Sequence, residues 1–169
     1  MAKLRMLGAI AVAAMLTACS GGGASAGGSA GGSNVLDACA LLDKSVVAKT
    51  LGRPVQSTEL SAVHDGSEGS ERFSQCTYKF GELDMLVFAS GQSSDSVADL
   101  TTRFRDQMQI AKAPTADVAG VGKAALWNED LHALWVFPGN DRYYGFTLYK
   151  VGQPDQKAAA VALAREFGL

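Results

Sequence analysis

Residues 123–151 read KAALWNEDLHALWVFPGNDRYYGFTLYKV. Three runs rich in aromatic, aliphatic and β-branched residues stand out: Lys123–Trp127, Leu131–Phe137 and Arg142–Val151. Between them lie Asn128-Glu129-Asp130 and Pro138-Gly139-Asn140-Asp141, whose side chains favour turns. Short connections between strand-like runs demand antiparallel neighbours, so this stretch predicts a meander. In the last run Tyr144, Phe146 and Leu148 alternate onto one face. In the middle run Leu134 and Val136 face one way, and Leu131, Ala133 and Trp135 the other. Both faces of that strand are largely apolar. One should meet helices, and the other either completes the core or lines a groove for a ligand or partner chain.

Outward from this meander the pattern repeats. Phe73–Phe80 and Leu83–Ser90 are strand-like, with only Gly81 and Glu82 between them, which predicts a tight hairpin. Residues 55–63 read as an edge strand, and residues 64–71 (HDGSEGSE) as a polar loop. Asn34–Leu51 carries apolar residues at three- and four-residue spacing, with Asp43 able to cap a second turn. Gly52 and Pro54 stop it. Serines 93, 94 and 96 precede an amphipathic helix with the stripe Val97, Leu100, Phe104, Met108 and Ala111, closed by Pro114. Asp155 caps a final helix that turns Ala160, Leu163, Ala164 and Phe167 inward. The order α-β-β-β-α-β-β-β-α predicts an α+β fold: an antiparallel sheet with helices packed on one face, built as a duplicated αβββ unit plus a C-terminal helix.

The chain start carries a different kind of information. Lys3 and Arg5 precede the apolar run Leu7–Leu16, then Leu16-Thr17-Ala18-Cys19. A spanning helix needs roughly 20 apolar residues, so this run is too short to be a permanent anchor. It fits a cleaved export signal. The four residues ending at Cys19 resemble the lipobox of bacterial lipoproteins. That resemblance implies cleavage before Cys19, a thioether from its thiol to a diacylglyceryl group, and acylation by palmitate-type chains. Two or three chains at one residue give stable membrane attachment. Ser20 fits outer-membrane sorting where a second membrane exists. Residues 20–33 contain only Gly, Ser and Ala, the composition of a flexible tether with an r.m.s. span of about 20 Å. The division is therefore a signal peptide at 1–18, a lipidated cysteine and tether at 19–33, and one domain at 34–169. The expected location is extracytoplasmic, on the cell membrane or the outer membrane.

With Cys19 taken by lipid, Cys39 and Cys76 remain in an oxidising compartment. A disulfide is expected, two separate buried thiols being the alternative. Its long loop corresponds to about 4 kcal/mol in the chain-entropy treatment.

Cys39-Ala40-Leu41-Leu42, Leu51-Gly52, Cys76-Thr77-Tyr78 and Val118-Ala119-Gly120-Val121-Gly122-Lys123-Ala124-Ala125 together resemble a broad group of small bacterial cell-envelope lipoproteins with domains of unknown function, most familiar from actinobacteria. The chain is also loosely similar to the extracellular sensor domains of mycobacterial receptor kinases. The resemblance spans most of residues 37–167 and implies a paired-cysteine α+β domain. It implies no catalytic residues, and none are assigned.

Several chemistries are disfavoured by residue type. Residues 34–169 hold 13 basic and 17 acidic side chains, which argues against nucleic acid. Gly120-Val121-Gly122-Lys123 lacks the first glycine of a phosphate loop, since Asp117 stands there, and Ala124 replaces its Ser or Thr. The Gly-x-Ser-x-Gly matches at Ser25 and Ser29 lie in the low-complexity tether, without the strand and helix that motif needs. His64 and His132 are the only histidines; His64 has Asp65 beside it for a triad, but nothing distinguishes a nucleophile among the many serines. Asp65, Ser67, Glu68 and Glu71 alternate oxygen ligands, yet too few carboxylates are present for an EF-hand. No metal or cofactor is expected.

The expectation is a non-enzymatic, lipid-anchored binding or sensing module, with Trp127, Trp135, Tyr143 and Tyr149 as its binding face. Its partner would be an envelope protein, a cell-wall fragment or a lipid. A small hydrolase using His64 or His132, and a structural component of an envelope complex, are the alternatives.

Overall fold

A computed structural model describes residues 34–67 and 71–169. The expected signal, the tether and Cys19, where lipidation is expected, lie outside the described residues, as does Glu68.

The described residues form one seven-stranded antiparallel sheet and four helices, an α+β fold. The elements are α1 (Ala38–Leu41), α2 (Lys44–Leu51), β1 (Ser57–Asp65), β2 (Arg72–Lys79), β3 (Met85–Gln92), α3 (Val97–Ile110), β4 (Thr115–Asp117), β5 (Ala124–Asn128), β6 (Ala133–Phe137), β7 (Arg142–Tyr149) and α4 (Gln156–Glu166). The sheet order is β1-β2-β3-β7-β6-β5-β4. Two meanders therefore meet along β3 and β7, with Phe88 opposite Phe146 and Gly91 opposite Tyr143. Among the described residues no helix is long and apolar enough to cross a membrane.

The strand alternation sorts side chains onto two faces. Cys76, Tyr78, Leu86, Phe88, Leu134, Val136, Tyr144, Phe146 and Leu148 form the main core with α1, α2 and α4. From the end of α4, Phe167 packs edge-on against Tyr144 at 4.9 Å and Phe88 at 5.2 Å. Edge-to-face contacts of this kind add to simple area burial.

The expectation of helices on one face holds for α1, α2 and α4. Helix α3 lies on the opposite face, where Leu100 and Phe104 pack against Leu126, Phe137 and Tyr143. Connecting β3 in the middle of the sheet to β4 at its far edge requires a crossing, and α3 makes it over the second face. Both halves are thus meanders, but of three and four strands rather than the expected three each, and α1 and α2 before the first lie on a different side from α3 before the second.

Local departures from the sequence reading have visible causes. The single helix expected over Asn34–Leu51 breaks at Leu42, whose backbone is extended, because Asp43 caps α2 by accepting from the Ser45 N–H at 2.6 Å. The Leu42 carbonyl thereby released accepts the buried Tyr78 hydroxyl. The hairpin at Gly81-Glu82 is a wider connection closed by Phe80 N–H donating to Asp84 O at 2.9 Å. Strand β4, three residues long and largely exposed, carries no alternation that a sequence reading could use. His132, expected within a strand, sits just before β6 in a left-handed conformation (φ 49°). Gly120 and Gly122 turn the chain between β4 and β5.

Cys39 and Cys76 are joined, with an S–S distance of 2.02 Å and Cα atoms 4.9 Å apart. The bond ties α1 to β2 beneath the main core.

Candidate functional site

Helix α3 covers only part of its face. The rest of that face, formed by β2, β3, β7 and β6, is an open groove running beside α3. It consists of two adjoining hollows of about 440 and 270 Å³ that share Gln75, Ala89 and Trp135. Phe73, Phe104 and Tyr143 border the first, and Val87, Met108, Leu131, Thr147 and Tyr149 the second.

The groove exists because its floor is small. Register places Gln75, Ala89, Gly145 and Trp135 in one row across four strands. A Cβ built on Gly145 would meet Cζ3, Cε3 and Cη2 of Trp135 at 2.6, 2.9 and 3.0 Å. Such distances arise when an aromatic ring lies face-down over the position. Likewise a Cβ on Gly91 would meet Cζ of Tyr143 at 1.9 Å and both Cε atoms at 2.4 Å. The two glycines let two rings lie flat on the sheet. Phe104 then packs on Trp135 at 4.9 Å and edge-on against Tyr143 at 5.4 Å.

At one end the groove meets a charged cluster. Glu71 accepts from an Arg103 Nη2 and, at 3.1 Å, from the Tyr143 hydroxyl. Arg103 also pairs with Asp95 at 3.3 Å. His64 Nδ1 lies 2.9 Å from the Glu71 carbonyl, and the His64 ring is parallel to that of Phe73 at 5.6 Å. Burial, the Glu71 charge and the hydrogen bond to Glu71 together hold the Tyr143 phenol well above its ordinary range. A third hollow, lined by Arg72, Gln92, Ser93, Ser94 and Asp141 together with the cluster itself, opens beyond it.

The four aromatics expected on one binding face do not share it. Trp127 belongs to the opposite parity in β5: it is 3% exposed in the main core and donates from Nε1 to Glu129 at 2.6 Å. Tyr143 is on the groove side but 6% exposed, pressed between Gly91 and α3. Trp135 and Tyr149 border the groove, the latter 46% exposed. Phe73, Gln75, Val87, Ala89 and Thr147 were missed. Their shared parity was readable in β2, β3 and β7, but nothing local says which parity α3 leaves uncovered.

The loop carboxylates do not converge. Glu71 turns inward to Arg103, while Asp65 accepts from the Ser67 N–H at 3.0 Å, and the amide and hydroxyl of Ser67 hold its pKa below the ordinary carboxylate value. Among the described residues no three of His, Cys, Asp and Glu cluster to hold a metal. The histidines stand apart, with His64 at the groove end and His132 buried at Nδ1 without a partner.

No known protein family, curated protein or solved structure matches the chain.

Proposed function

We propose that this protein is a non-catalytic binding module of the bacterial cell envelope, lipid-anchored at Cys19 and taking its ligand in the groove beside α3. One observation carries the reading: three helices cover one face of the sheet, whereas the other is left open over Phe73, Val87, Trp135 and Tyr149. A soluble domain leaves an apolar concavity of this kind uncovered where something else occupies it. The lipobox resemblance supplies the location. Anchoring confines the domain to a membrane surface and raises its effective concentration for partners held there.

Site-specific photo-cross-linking in the native envelope tests this. A cross-linker replacing Val87, on the groove floor, is expected to capture a discrete adduct. One replacing Leu83, exposed in the β2–β3 connection, is the control. Capture from neither position, or equal capture from both, overturns the reading.

A further inference from the structure

We infer that the groove takes a neutral saccharide, an assignment that rests on the binding reading above and adds the ligand's chemistry. The row Gln75–Ala89–Gly145–Trp135 spans three strand spacings, about 14 Å, with only small residues between its ends. That is an elongated trough, with an aromatic ring at one end and an amide at the other. The indole of Trp135 lies with one face on Gly145, so its opposite face points away from the sheet. Phe104, tilted by 50°, covers only part of it. An aromatic face carries partial negative charge and suits the polarised C–H face of a sugar ring.

Hydrogen bonding separates a sugar from an alkyl chain. The Gln75 amide and the Thr147 hydroxyl border the groove, and neither side chain bonds to another described residue. An acyl chain laid over them would strip their water and return nothing. Sugar hydroxyls both donate and accept, and so satisfy an amide and a hydroxyl alike. Charge separates a neutral sugar from an ionic one. The Arg103 guanidinium at the groove end already faces two carboxylates, Glu71 on Nη2 and Asp95 on Nη1, and Glu71 also accepts from Tyr143, so the cluster offers an anionic ligand no unopposed cation, although the buried Arg103 Nε has no partner among the described residues.

The chain has two tryptophans, and Trp127→Phe leaves Trp135 as the only one. Emission of that variant is followed while the purified domain is titrated with chitotetraose, maltotetraose, cellotetraose or sodium laurate. Calorimetry on the wild-type domain replaces the fluorescence readout if the variant does not fold. The expected result is saturable binding of at least one tetrasaccharide, insensitive to salt and weakened about tenfold by Gln75→Ala and by Thr147→Val, the loss of one hydrogen bond each. Binding untouched by both substitutions, or no binding by any tetrasaccharide, overturns the assignment. Laurate binding without saccharide binding overturns the saccharide while leaving a ligand groove in place. Silence from every probe, together with no adduct at position 87, removes both readings.

Discussion

At the scale of single residues, the groove depends on what is absent. Gly91 has no Cβ, and the Tyr143 ring occupies the space where one would be, with Cζ at 1.9 Å. That ring cannot easily lift, because its hydroxyl is bonded to Glu71 and Phe104 leans on its edge. Gly91→Ala should therefore cost about 2–3 kcal/mol, the upper range for overpacking. Urea denaturation measures this, and the cost should largely vanish when Tyr143→Ala is also present, since the two residues share one clash. Titration gives a second expectation. Burial raises the phenols of Tyr78, Tyr143 and Tyr144 above their ordinary value. In the unfolded chain they ionise near pH 10. Above that pH the folded state holds protons that the unfolded state has released, so stability falls as pH rises. Stability should be insensitive to these groups below about pH 10 and decline beyond it. The 295 nm phenolate absorbance of the three should then appear together with loss of far-ultraviolet dichroism. With the exposed fourth tyrosine removed as Tyr149→Phe, phenolate formation in a chain that keeps its full dichroism contradicts this.

At the scale of elements, α1 is the least self-sufficient piece. Four residues cannot hold a helix in water, because nucleation alone outweighs so few hydrogen bonds. Three long-range ties hold it: the disulfide to β2, the Ala38 N–H donating to the Ser74 hydroxyl at 2.9 Å, and Ser74 donating to the Val35 carbonyl at 2.7 Å. Replacing Cys39 and Cys76 together by serine should lower stability by about 2–4 kcal/mol. Hydrogen exchange should then show residues 35–42 losing protection while the β3–β7 pairing keeps its own. Uniform loss across the chain would instead mark the bond as a global constraint. This element also shows where sequence reading stops. The three-four spacing across residues 34–51 was correct, and the capping role of Asp43 was visible. The extended Leu42 was not, because its carbonyl is satisfied by Tyr78, 36 residues away. Strand β4 hid for the converse reason: it is defined by pairing Thr115–Asp117 with β5, and its own composition carries no signal.

At the scale of the whole molecule, the strands and their antiparallel order within each meander were readable, since short turns leave few alternatives. The join of β3 to β7 and the face taken by α3 were not, because both are long-range choices. The misplacement of Trp127 follows from that limit. Its neighbours on β5 alternate correctly, but only the finished sheet says that its parity faces α2 and α4 while Trp135 faces the groove.

The two proposed functions fall on separate parts of the chain. The groove belongs to residues 64–149, and the proposed anchor to Cys19, ahead of 14 residues of Gly, Ser and Ala. If the parts are independent, Cys19→Ala should move the protein from the membrane fraction to the soluble extracytoplasmic fraction, and mass spectrometry should find no diacylglyceryl group. The affinity of the groove for a freely diffusing ligand should stay within about twofold, because no groove contact is altered. Binding to a ligand that is itself fixed in the envelope should weaken far more, because the effective concentration supplied by the tether is lost. Retention in the membrane fraction of a Cys19→Ala protein whose residues 1–18 have been removed would refute the lipid anchor. A fall in affinity for the free ligand would refute independence, and would mean that the first 33 residues take part in binding.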